Sequence, residues 1–156
     1  MKTEEPKELL IIYHSQSGNT ERLAEAVERG ARRVRGIEVR RLRAAKVTAH
    51  DFRTARCLVM CSPEYFGYMA GALKDLFDRT YEEVREDVSG RAYAVVICAG
   101  NDGAGALSSI ERIILGYKLR RVQEPVIVRG ELSAAALEQC VNLGHTLAEG
   151  MDLGIY

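Results

Sequence analysis

The chain has 156 residues, 47% hydrophobic and 28% charged, and its 22 Lys and Arg are matched by 22 Asp and Glu for a formal net charge of zero. That composition predicts one ordered globular domain over residues 1–156, because it is too apolar for disorder and too short for two separate cores. The charge balance argues against a nucleic-acid binder, and no apolar run approaches the roughly 18–20 residues that span a bilayer.

The opening residues, Met1 to Glu8, are too acidic for a signal peptide. They predict a cytoplasmic protein whose residues 1–7 form a flexible extension. None of the four cysteines (Cys57, Cys61, Cys98, Cys140) sits in a CxxC pair or a Cys/His cluster with metal-ligand spacing. No metal site is expected, and the thiols read as reduced core residues.

The first element is Leu9-Leu10-Ile11-Ile12-Tyr13, apolar without interruption. A continuous run means a strand buried on both faces, as in a parallel sheet. A helix follows from Thr20 to Arg35, with Leu23, Val27, Ala31 and Val34 on one stripe. Ile37 to Leu42 is polar enough for an edge strand, and Arg43 to Arg56 leaves room for only a short helical turn.

Cys57 to Cys61 is the next buried strand, then a helix from Met69 to Tyr81, a strand from Ala94 to Cys98 and a helix from Leu107 to Leu119. Val126 to Val128 and a helix over Leu137 to Met151 complete the alternation. Right-handed crossovers then give an α/β, doubly wound, three-layer sandwich around a five-stranded parallel sheet of order 2-1-3-4-5. In such a sheet ligands bind beyond the carboxyl ends of the strands, beside strand one.

Three loops reach that edge. Ser15-Gln16-Ser17-Gly18-Asn19-Thr20 surrounds one glycine with hydroxyls and amides at the start of a helix. This is a cradle for a phosphate monoester held by neutral donors, since it has neither the lysine of a Walker A loop nor the glycines of GxGxxG. A plain helix cap would need only one such residue. Ser62-Pro63-Glu64-Tyr65-Phe66-Gly67 joins a rigid turn to two aromatics, suited either to lie against a flat heterocycle or to plug a loop. Ala99-Gly100-Asn101-Asp102-Gly103-Ala104-Gly105 offers backbone N–H groups without side-chain bulk.

The first loop matches the [ST]-x-[ST]-G-N-T pattern of flavodoxin-like proteins. Ser62 to Gly67, with Ala72-Leu73-Lys74-Asp75-Leu76-Phe77-Asp78-Arg79, resembles the NAD(P)H-dependent FMN and quinone reductase branch of that superfamily. The resemblance runs from about Leu9 to Met151. It implies a flavodoxin-like fold and bound FMN, with the phosphate on Ser15, Ser17, Asn19 and Thr20 and the ring between Tyr65/Phe66 and Asn101 to Gly105. The implied cofactor-binding set is Ser15, Gln16, Ser17, Gly18, Asn19 and Thr20, then Ser62, Pro63, Glu64, Tyr65, Phe66 and Gly67, then Ala99, Gly100, Asn101, Asp102, Gly103 and Gly105.

The flavin carries the chemistry, so no catalytic side chain is expected. The resemblance implies an oxidoreductase passing electrons from NAD(P)H through flavin to a quinone or free flavin. The alternative is a flavodoxin-type carrier serving redox protein partners. The reductase-like second loop and zero charge favour the enzyme; the small size and the missing insertion favour the carrier. There is no Trp to stack on the ring. Self-association is left open.

Rival uses of the topology fail on particular residues. A receiver domain needs acids where Ser15 and Ser62 stand, and a Cys-x5-Arg phosphatase finds Gly67 and Ala104 at the arginine positions. His14 reads as structural, His50 and His145 as solvated, and Cys61 and Cys98 as strand-end thiols rather than redox groups. Arg32, Arg33, Arg35, Arg40, Arg41, Arg43 and Lys46 surround the edge strand and read as a solvated rim that discourages edge pairing, in preference to a site for the extra phosphate of NADPH.

Overall fold

The computed structural model describes residues 5–156. Strands β1 (Lys7–Tyr13), β2 (Ile37–Arg43), β3 (Ala55–Tyr65), β4 (Tyr68–Met69), β5 (Ala92–Ala99), β6 (Arg120–Arg121) and β7 (Val126–Arg129) alternate with helices α1 (Asn19–Ala31), α2 (Ala49–Thr54), α3 (Gly71–Val84), α4 (Ala104–Tyr117) and α5 (Ala134–Asp152). β1 lies parallel between β2 and β3, with Leu9 opposite both Val39 and Cys57. β5 lies parallel to β3, Cys61 facing Val96, and β6 and β7 share its far edge. The order is therefore β2-β1-β3-β5 and then the pair β6/β7.

Two details depart from the expected five strands. The fifth position is filled by two short segments, β6 and β7, interrupted over 122–125, where Pro125 cannot donate to a ladder. In addition, β3 runs past the sheet to Tyr65 and folds back antiparallel onto β4, pairing Tyr65 with Tyr68. Lys7 is already in β1, opposite Ile37; residues 1–4 of the expected extension lie outside the described residues.

The continuous apolar runs serve both faces of the sheet. Leu9, Ile11, Cys57, Val59, Cys61 and Val96 face α1 and α5, in one cluster with Leu23, Val27, Cys140 and Leu147. Leu10, Ile12, Leu58, Met60, Val95 and Ile97 face the other way, against Leu73, Leu76, Phe77, Ile110 and Tyr117. Fully burying one such side chain contributes about 1.5–3 kcal/mol. Tyr117, fully buried, keeps its hydroxyl satisfied by donating to the Phe77 carbonyl at 2.6 Å.

The α1–α5 contact depends on two glycines. A Cβ on Gly144 would stand 1.9 Å from the Val27 carbonyl oxygen, and one on Gly30 would stand 1.8 Å from that of Val141. Backbone meets backbone there, so no side-chain rotation relieves the clash. Gly144→Ala is expected to destabilise the protein by about 2–3 kcal/mol, in the upper range of overpacking costs. Gly71→Ala, where a Cβ would meet nothing within 4 Å, is the control. Urea midpoints of the two variants check this; equal shifts would contradict the close approach.

Candidate functional site

Tyr13 ends β1, and the chain must turn sharply into α1. Gly18 makes the turn possible, at φ 95°, where an L side chain would be strained. The loop braces itself: the Gly18 N–H donates to Ser15 Oγ at 3.0 Å and the Asn19 N–H to Ser17 Oγ at 3.4 Å. Gly18 takes the helix-cap position, and no side chain caps α1. The cap residues of α3 and α4 likewise make no side-chain hydrogen bond, whereas in α5 the Ser133 hydroxyl accepts the Ala136 N–H and in α2 Thr48 and Asp51 form a reciprocal box. What sets α1 apart is the run of hydroxyls and amides that leads into it. A helix whose first turn is left without a cap, in a loop of hydroxyls and amides, keeps donors for an anion from outside.

Those donors open into a cavity of about 300 Å³ at the carboxyl ends of β1, β3 and β5. Gln16, Ser17, Asn19 and Thr20 line it from the first loop, Pro63, Glu64 and Tyr65 from the second, and Ala99 and Gly100 from the third. The volume is at the lower end for ligand sites, and the walls mix apolar surface with a few convergent polar groups. Cys98 and Gly130 also line it, and neither belongs to the implied cofactor-binding set. Gly130 follows β7 just as Gly100 follows β5, so the rule that places ligands beyond strand ends would have found it.

The other expected residues support the cavity from outside. Ser62 is fully buried; its hydroxyl donates to the Pro63 carbonyl at 2.7 Å and accepts the Ala70 N–H at 3.0 Å. It holds the second loop together and has no free donor for a ligand. Phe66 sits at the hairpin tip with φ 52° and its side chain fully exposed; of the two aromatics, Tyr65 lines the cavity. Gly67 and Gly105 pack together: a Cβ on Gly105 would stand 2.0 Å from the Gly67 carbonyl oxygen. Gly103, at φ 74°, is wedged against Ile127 and Ile97. Asn101 and Asp102 are exposed, and Asp102 Oδ1 accepts the Ala104 N–H at 2.9 Å to start α4. The third loop thus uses its glycines to pack, and offers only Ala99 and Gly100 to the cavity.

Electrostatics around the site are mild. Glu64 is occupied, accepting the Ala106 N–H at 3.0 Å. Burial, with the Arg43 charge adding to it, lowers the His14 pKa and so favours the neutral ring; its edge meets Tyr65 with centroids 6.1 Å apart. Much of the basic run is matched by carboxylates: Arg32 and Arg41 by Glu28, Arg40 by Glu8 and Asp51, Arg43 by Glu21.

A larger basin of about 930 Å³ lies at the opposite end of the strands. Several of its charged groups are engaged with partners within the protein. Arg91 donates to the carbonyls of Phe52, Arg53 and Ala55, Arg40 pairs with Glu8, and Lys7 Nζ donates to the Met151 carbonyl. The smaller cavity, with uncommitted donors at a strand switch point, is the candidate site.

Comparisons with known proteins bear on the family and the fold. The family model described as Flavodoxin matches residues 11–144. The chain belongs to the flavodoxin family. A flavodoxin of Aquifex aeolicus is 29% identical over 157 residues, covering 90% of this chain and 85% of that protein. Among solved structures, an archaeal flavodoxin superposes with a TM-score of 0.83 at 21% identity, covering 93% of this chain and 99% of that one. A WrbA-like flavodoxin from Agrobacterium tumefaciens gives 0.76 at 17% identity, covering 94% and 98%. Both share the fold. Among the described residues, no helix is long and apolar enough to cross a membrane, and no group of three or more His, Cys, Asp or Glu could hold a metal ion.

Cys98 is the one cavity-lining thiol among four free cysteines. Burial pushes its pKa above the usual cysteine value, against the pull of the neighbouring Thr20 hydroxyl. Burial pushes Cys57 and Cys140 up to about 12. In the apoprotein, iodoacetamide is therefore expected to modify Cys98 alone, faster as pH rises, because only the thiolate reacts. Mass spectrometry of the native and unfolded protein checks this. Modification of Cys57, Cys61 or Cys140 in the native state would contradict the burial.

Proposed function

We propose that this flavodoxin-family chain binds FMN in the 300 Å³ cavity and carries electrons between redox protein partners. The observation that carries the reading is the uncapped start of α1 in the Ser15–Thr20 loop. Its neutral hydroxyls, side-chain amide and backbone N–H groups fit a phosphate monoester, and the open space around the Gly18 Cβ position leaves the approach clear. When bound, FMN would supply the electron-accepting isoalloxazine ring; the protein supplies position and electrostatics.

Ser17, Asn19 and Thr20 would hold the phosphate, with Ser15 bracing the Gly18 turn behind them. Tyr65 would lie against the ring, while Ala99 and Gly100 would bring backbone close to it. Ser62 would act indirectly, by fixing the turn that carries Tyr65. The relatives matched are flavodoxins, which supports the carrier over an NAD(P)H-dependent reductase with a quinone or free-flavin acceptor.

Three measurements test the proposal. FMN should bind much more tightly than riboflavin, since each hydrogen bond to the charged phosphate is worth about 1.5–3 kcal/mol. Equal affinity would sink the phosphate assignment. Tyr65→Ala should lower FMN affinity by about 1 kcal/mol or more and change the bound flavin spectrum, whereas Phe66→Ala should change neither. Equal effects would mean that Phe66 also meets the ring. Finally, NADH or NADPH alone, without oxygen, should leave bound FMN oxidised, while a catalytic amount of an NADPH-dependent flavoprotein reductase bleaches it. Rapid bleaching by nucleotide alone would make the protein a reductase.

A further inference from the structure

Arg43 ends β2, the edge strand beside β1. Its Nη1 donates to the Ser15 carbonyl at 3.2 Å and its Nη2 to Glu21 Oε2 at 3.4 Å. One guanidinium therefore spans the phosphate-loop candidate from its first residue to the first turn of α1. The same group lies over the Tyr13 ring, with Cζ 5.1 Å from the centroid, and the Tyr13 hydroxyl donates to Glu21 Oε1 at 3.1 Å. Strand, loop and helix start are tied through one cation.

Glu21 makes that cation matter. An acid in the first turn of a helix is favourable while the helix end is free, because it complements the positive end of the helix dipole. A phosphate held by the same turn brings up to two more negative charges to the same place. Unless Glu21 is neutralised, the two repel. Arg41 reaches Glu21 only at 3.7 Å and is held chiefly by Glu28 at 2.6 Å. Arg43 is the cation that touches both Glu21 and the loop.

We infer that Arg43 is a positioning residue that makes this site selective for a phosphorylated flavin over its unphosphorylated parent, by clamping Ser15 to Glu21 and cancelling the Glu21 charge. The inference rests on the FMN reading above and goes beyond it. The side chain is 45% exposed, so its effect is open to screening by salt. A role confined to shielding the edge strand, or to general stability, would affect both flavins alike.

The test is a set of dissociation constants for FMN and riboflavin, read by flavin fluorescence on flavin-stripped protein. Arg43→Gln should weaken FMN roughly tenfold and riboflavin by no more than about twofold, the difference being the phosphate's loss of a nearby counter-charge. The FMN loss should shrink as NaCl rises from about 0.05 M to about 1 M. Adding Glu21→Gln to Arg43→Gln should recover most of the FMN affinity. Arg43→Lys should recover part of it, as a charge without the planar fork.

Glu21→Gln alone should tighten FMN and leave riboflavin unchanged, which keeps the inference testable if Arg43→Gln folds poorly. Equal weakening of both flavins, or no selectivity change in any variant, would overturn the role of Arg43 while leaving FMN binding intact. A wild-type protein that binds neither flavin would overturn the FMN reading, and this inference with it.

Discussion

Parallel strands force their connections to cross from one end of the sheet to the other, so the crossover helices cover both faces and leave every β-to-α turn at one edge. Here that constraint turns Leu9 to Tyr13 and Cys57 to Cys61 into strands apolar on both sides. It also gathers Gln16, Ser17, Asn19 and Thr20 with residues 63–65 and 99–100 around one cavity, although the three segments are far apart in the chain. The same geometry that buries the strands brings their turns together, and the first of those turns leads into a helix with no side-chain cap.

The division of labour around the cavity follows from which polar groups already have partners. Ser62, Glu64 and Asp102 are engaged with backbone groups and shape the loops. Ser17, Asn19 and Thr20 reach the cavity itself. A site built from neutral donors recognises an anion by geometry, and its energetics are then sensitive to any full charge nearby. Glu21 follows that loop directly in the chain, and Arg43 hydrogen-bonds both to the loop and to Glu21.

Much of this was legible in the sequence, for identifiable reasons. Continuous apolar runs exposed the parallel strands, and Ser15 to Thr20 stood out because a buried strand meets a helix through polar residues and one glycine. What escaped was direction. A hydroxyl at Ser62 looks equally available whether it faces a ligand or a turn, and only its contacts with Pro63 and Ala70 decide. Tyr65 and Phe66 are adjacent aromatics, yet Tyr65 lines the cavity while Phe66 stands exposed at the hairpin tip. Gly103 and Gly105, read as ligand approach, also pack closely against distant segments, at Ile127 and Gly67. The split of the last strand into β6 and β7 was hidden too, since two residues of strand carry no pattern.

The most direct test of the central claim is a map of backbone amide shifts in 15N-labelled apoprotein as FMN is added. The account requires the largest changes at Ser17, Gly18, Asn19 and Thr20, with a second group at Tyr65, Ala99, Gly100 and Gly130. Inorganic phosphate alone should move a subset of the first group only. Changes centred on Lys7, Arg91 and Arg120, around the basin at the other end of the strands, would contradict it.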